Sequence, residues 1–373
     1  MKRSKPARRT SRIRIIMWLA LLVAACGLPQ AVTDTPLPTN LPEPTGTATP
    51  LPSPTPTATI TSTPARTPMP TDQVWFGPNM GSTDFAELFT KPEQWAEARS
   101  RINVFKFHTQ NVLDVPCAIC GDNTLNAFVD VNAFRKLVDW GIAIDIDVGA
   151  VKEWGCNGVE EFRVAKTAID NVQRNGGIVS FLTMDEPYMG GELTANGQTC
   201  GYTMEQSADV TSRFIRQIRA AYPQIIIGDV EPYPYFSVSE LEQWISTLEA
   251  NGTKPAFFHL DVNMLEGGRR PNVETDLPIL SKFFQEHQIP FGVIFTSNVN
   301  FNPASDRAYF DATMGWIRTV SQIIGKPQQI VFNSWGGPAL SGAHEIPINL
   351  PENDPAIYSH TRLILEGLAM FGE

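Results

Sequence analysis

From Val74 to the C-terminus the chain repeats one pattern eight times: a short apolar run ending in polar residues, then a helical stretch. The polar ends fall at residues 77–80, 105–110, 144–150, 181–187, 225–232, 257–263, 293–298 and 330–335. Strands that alternate with helices of this length pair in parallel, because each helix carries the chain back to start the next strand in the same direction. Eight such units predict a closed α/β architecture, a single (β/α)8 TIM barrel. In that fold the side chains that do chemistry sit where the strands end. Here those ends collect acids, amides, histidines and aromatics.

The first seventy residues read differently. Residues 1–14 carry seven basic side chains and no acid, and 15–25 form an apolar run too short for a comfortable membrane span. Val23-Ala24-Ala25-Cys26 resembles the cleavage box of bacterial lipoproteins. The resemblance implies a signal peptide over 1–25, cleavage before Cys26, and a lipid on its thiol that holds the chain at the cell surface. Residues 26–72 are dominated by Pro, Thr and Ser without apolar periodicity, which predicts a disordered, extended tether. The barrel is then expected over 73–373, with no stretch left for a second domain.

Loss of the seven basic residues takes the formal charge from −10 to −17. An acidic exported chain suits neutral substrates and argues against nucleic acid as a partner. Nothing in the pattern calls for a cofactor or an obligate second subunit. Of the cysteines after Cys26, Cys117 and Cys120 are three residues apart, and Cys156 and Cys200 complete the set. An exported compartment favours disulfides, and Cys117–Cys120 with Cys156–Cys200 is the preferred pairing among three. A four-thiol zinc site is the rival reading, but the second pair lacks the CxxC spacing and no cysteine adjoins a histidine.

Side chains alternate across a strand, so residues of equal parity share a face. The second run directs Lys106 and His108 to one side, the third Asp145 and Asp147, and the sixth His259 and Asp261. For the fifth run the same count predicts Asp229 and Glu231 inward. Inward acids from several strands are costly to bury without partners, which points to a site. Asn79, Asn298 and Asn333 are candidate hydroxyl ligands. Tyr188, Tyr233, Tyr235, Trp154 and Trp335 lie at or beside strand outlets, where rings can stack on a ligand.

The fourth run ends in Met184-Asp185-Glu186-Pro187-Tyr188. This resembles the large group of TIM-barrel glycoside hydrolases whose fourth strand ends in Asn-Glu-Pro. The resemblance implies Glu186 as general acid/base and Asp185, in place of the amide, as the holder of a sugar hydroxyl. It covers the barrel from Val74 onward. The chain departs from the group at its seventh run, where Phe295-Thr296-Ser297-Asn298 has no acid to serve as nucleophile. The second carboxylate is therefore expected from Glu231 or, next, Asp261, since glycoside hydrolysis needs two. By even parity Glu186 does not face inward, so this assignment requires the strand to break before Pro187. Two other functions compete. Asp147, Glu186 and Glu231 resemble the magnesium ligands of the enolase group, with Lys106 as base. A barrel that binds glycans without cleaving them also fits the missing seventh-strand acid.

Overall fold

The computed structural model describes residues 71–151, 156–192, 194–195, 198–264, 271–297, 305–335 and 348–372. The expected signal peptide, Cys26, the expected tether up to residue 70, Trp154 and Asn298 lie outside them.

Eight parallel strands close into a barrel. They are β1 (Gln73–Gly77), β2 (Val104–His108), β3 (Ala143–Val148), β4 (Val179–Asp185), β7 (Ile226–Tyr233), β8 (Phe258–Val262), β9 (Phe291–Phe295) and β10 (Gln329–Asn333). The two-residue strands β5 (Thr194–Ala195) and β6 (Gln198–Thr199) form a small antiparallel ribbon outside the barrel wall. Closure is direct, since β1 pairs with both β2 and β10. Each of the eight strands that the repeated pattern predicts is present.

The helices follow their sequence signals, after three short ones, α1 (Glu87–Thr90), α2 (Ala96–Arg101) and α3 (Thr109–Val112). Those after β3 and β7 are α6 (Val159–Arg174) and α9 (Val238–Ala250), as expected, and α9 starts with a Ser237/Glu240 capping box. The long helices α8 (Met204–Ala221), α10 (Val273–Glu286) and α11 (Asp306–Ile324) follow, and α12 (His360–Ala369) ends the chain. The helical stretch after β2 is two helices, α4 (Leu125–Asp130) and α5 (Ala133–Asp139). Asn132 separates them with φ 54°, a left-handed conformation that asparagine tolerates better than most residues.

Two apolar layers result. One fills the space between strands and helices. The other, Trp75, Val104, Phe181, Val230, Phe257, Ile294 and Val331, plugs the barrel itself. The plug closes the barrel beneath its C-terminal mouth. Both disulfides form as preferred, Cys117–Cys120 and Cys156–Cys200. The second ties the segment after β3 to the start of the approach to α8, and the Tyr202 hydroxyl donates to the Cys156 carbonyl beside it.

Candidate active site

Register decides which side chains share the mouth, because paired residues of neighbouring parallel strands lie on one face. Lys106 pairs with Asp145 and His108 with Asp147, and Asp147 with Thr183. Thr183 then pairs with Gly228, and Asp185 with Val230. Val230 pairs with His259, and Pro232 with Asp261. Across the far side Ile294 pairs with Val331, Val331 with Trp75 and Asn333 with Gly77. The inward ring is thus continuous, and it includes Val230 rather than its neighbours.

The expectation that Asp229 and Glu231 face the axis is therefore corrected. The inward residues of β7 are Ile226, Gly228 and Val230, and a β-carbon at Gly228 would stand 2.1 Å from the Phe257 ring. Asp229 and Glu231 point outward, fully buried between the wall and its helices. Asp229 accepts a 2.8 Å hydrogen bond from the Trp244 indole of α9. Glu231 accepts from the backbone N–H groups of Tyr188 (2.6 Å) and Met189 (3.3 Å). These two residues belong to α7 (Pro187–Glu192).

Three further expected ligands are also out of reach of the mouth, two behind the wall and one beneath it. The Tyr188 ring stacks between Phe236 and Trp244, with centroids 3.9 and 5.1 Å away, on the outer side of the wall. Tyr233 shares the outer face of β7 and donates its hydroxyl 2.5 Å to Asp276. His259 lies within the plug, edge-on to Trp75 at 4.8 Å and 2.7 Å from the Gln329 side chain. Burial drives its pKa down to about 3, with the Lys106 charge adding to the effect, so it stays neutral.

The floor of the mouth is a buried ion cluster. Lys106 is wholly enclosed, its Nζ 3.2 Å from Asp147 Oδ2 and 3.6 Å from Asp145 Oδ2. Gly77 opposite leaves room for the lysine stem and for Asn333, whose Oδ1 a β-carbon there would meet at 1.9 Å. Thr183 donates 2.8 Å to Asp145, and His108 Nδ1 lies 3.6 Å from Asp147. Burial alone would lower the lysine pKa, but Asp147 and Asp145 outweigh it and hold the ammonium above its ordinary value. Burial lifts Asp147 to about 8 against the pull of Lys106, with Asp185 and Asp145 pushing the same way. Burial, with the lysine charge, lowers His108 to about 4. Asp147 Oδ1 and both side-chain polar atoms of Asn333 have no hydrogen-bond partner among the described residues. Such groups suit a ligand that offers both donors and acceptors.

Above this floor the rim is partly open. Asp185 continues the inward face of β4, and its charge reaches Lys106, His108 and Asp147. The strand ends there, and Glu186 adopts φ 51°. Its N–H donates 3.0 Å to the Val230 carbonyl of β7, and its carbonyl accepts from Gly190 at 2.7 Å. The expected break before Pro187 is thus present, as a left-handed residue at the strand outlet. The Glu186 charge is felt at Glu231 through the wall. Asp261 stands inward on β8 and is half-buried. Trp335, also half-buried, packs on the plug just beyond β10. Asn79 is buried beneath the rim, its amide 3.4 Å from the Ser334 hydroxyl and its carbonyl accepting from Gly81 at 2.9 Å.

The residues with enolase-type spacing do not converge. Glu231 is behind the wall, and Lys106 is locked between carboxylates with its proton held, the opposite of a base. Among the described residues no group of three His, Cys, Asp or Glu is placed to hold a metal ion.

No family model matches the chain. No curated protein sequence matches it either. Solved structures do match. The fold is similar to a family 5 glycoside hydrolase of Streptomyces cattleya in complex with GlcNAc, at 9% identity and TM-score 0.51, covering 81% of each chain. It is also similar to a xylanase of Cellvibrio japonicus in complex with xylopentaose, at 13% identity and TM-score 0.49, covering 81% of this chain and 68% of that one. A barrel described as an aldolase matches at 11% identity and TM-score 0.41, covering 70% of this chain and 89% of that one. The chain has the TIM-barrel fold found among glycoside hydrolases, and its reaction must be argued from the site.

Proposed function

We propose that the protein is an exported glycoside hydrolase, tethered to the cell surface, that cleaves neutral poly- or oligosaccharides. One observation carries this reading: Asp147, Asp185 and Asp261 from three strands face a single mouth, with Glu186 at its rim on a break in β4. Glu186 protonates the leaving oxygen, and Asp261, two strands further round, attacks the anomeric carbon or activates water. Asp261 takes the place first expected for Glu231, whose oxygens are engaged by α7. Asp185, Asp147, His108 and Asn333 hold hydroxyls, Lys106 fixes the two carboxylates beside it, and Trp335 offers a ring for stacking. The sequence around Cys26 supports a lipid anchor, and the Pro/Thr-rich stretch after it supports a spacer that lets the barrel reach insoluble glycans.

Incubation with a panel of neutral polysaccharides, with reducing ends and products measured, tests the activity. Saturable binding without any product would support the glycan-binding alternative, which the absence of an acid from Phe295 to Asn298 favours. For the anchor, the expected result is incorporation of labelled fatty acid into the wild type and none into Cys26→Ser.

A further inference from the structure

We propose that Glu231 is a positioning residue for Glu186: from behind the barrel wall it pins the turn that presents the proton donor. The inference rests on the reading of Glu186 as that donor.

The turn is held at successive residues. Glu186 is the only described non-glycine residue with a left-handed backbone at a strand outlet, a conformation that L-residues avoid unless their surroundings enforce it. Its own N–H is tied to Val230 and its carbonyl to Gly190. Pro187 has no N–H to satisfy. The next two N–H groups, of Tyr188 and Met189, both end on the Glu231 carboxyl. A side chain from the neighbouring strand therefore satisfies the first turn of α7, where an N-cap residue would ordinarily do so.

The clamp is itself rigid. Glu231 is fully buried, so no water competes for its oxygens. Tyr188 is gripped by Phe236 and Trp244, and Trp244 is in turn fixed to Asp229, two residues before Glu231 on the same strand. Burial and the Asp229 charge push the Glu231 pKa well up, and glutamine keeps the side chain's shape but only one of its two acceptor oxygens. The Glu231 carboxyl faces away from the axis and does not touch a glycan in the mouth. Its effect passes through residues 186–189, alongside the charge interaction with Glu186 across the wall.

The test uses the full-length protein and the variants Glu231→Ala, Glu231→Gln, Glu186→Gln and the Glu186→Gln/Glu231→Ala double. Glu231→Ala should lower kcat at least about 30-fold with KM little changed, since small misplacements of a reacting group are this expensive. Glu231→Gln, which can still accept from Tyr188 but not from Met189 as well, should recover part of that loss. In the Glu186→Gln background the alanine change should cost less than about threefold, because residues acting as a unit are not additive. Amide hydrogen exchange at Tyr188 and Met189 should quicken at least about tenfold in Glu231→Ala, a readout independent of turnover. Equal losses of kcat in both backgrounds, or unchanged exchange at 188 and 189, would overturn the proposal. A wild type that cleaves no glycoside would instead sink the glycosidase reading, and the exchange data would still decide whether Glu231 holds the turn.

Discussion

A buried carboxylate takes its role from what its oxygens face, and this barrel holds several kinds. Glu231 faces backbone N–H groups and holds a turn. Asp145 and Asp147 face Lys106 and form a polar floor around its ammonium. Asp261 and Asp185 face the open mouth. Lys106 is the one cation in this set, and above about pH 8, where Asp147 has given up its proton, its removal leaves buried charge without a counter-ion. Breaking a buried ion cluster from one side costs about 3–5 kcal/mol, far more than a surface pair. Lys106→Met is expected to lower stability by about that amount above pH 8 and by less at lower pH, where Asp147 keeps its proton, read as a drop in the urea midpoint. A midpoint within error of wild type would show that the cluster is not held as described. Protonation of one aspartate in the variant would soften the loss without abolishing it.

At the scale of elements, parity was legible on β2, β3 and β8 because their outward positions are strongly apolar: Phe105 and Phe107, Ile144 and Ile146, Phe258 and Leu260. It misled on β7. Ile225, Ile226 and Ile227 are apolar on both faces, so the run has no phase. Gly228 then removes the one inward side chain that could have set it. The acids that follow looked like mouth residues but are satisfied by an indole and by α7, partners no local pattern announces. The glycine itself was the available signal, since glycine inside a strand marks a close approach. The two tyrosines Tyr188 and Tyr233 were misplaced for the same reason, their rings belonging to the layer behind β7. The turn at Glu186 was anticipated from Pro187, but not its left-handed form. Gly228→Ala should destabilise the barrel by about 1–3 kcal/mol, because the Phe257 ring 2.1 Å from the new carbon is itself packed against Trp75 and Phe181. A thermal melt unchanged by the substitution would contradict the packing of the plug.

For the whole molecule, buried titratable groups set how stability depends on pH. Burial holds Asp147 and Asp229 at about 8, far above the unfolded value, with Asp145 and Glu231 raised too. The folded state therefore keeps protons that the unfolded chain has lost, and this stabilisation fades as pH rises through about 8. Burial lowers His108 to about 4, and His259 and His360 to about 3. Their contribution has the opposite sign: it is complete above the unfolded histidine value and lost as pH falls. Between pH 4 and 6.5 the two sets oppose each other, whereas between about 6.5 and 8 the carboxyls act alone. Unfolding free energy should drop by about 1–3 kcal/mol across that upper window, with a shallower slope in Asp229→Asn. A flat or rising profile would mean the buried acids are ionised in the fold.

The central claim is that a proton donor on the β4 break works in a mouth closed from below by the aromatic plug. Turnover of Glu186→Gln on a glycan that the wild type cleaves tests it most directly. A loss of about 10²–10⁴-fold in kcat, with an unchanged melting temperature, is the predicted result. Activity within about threefold of wild type would contradict it, since a general acid of this kind cannot be dispensable.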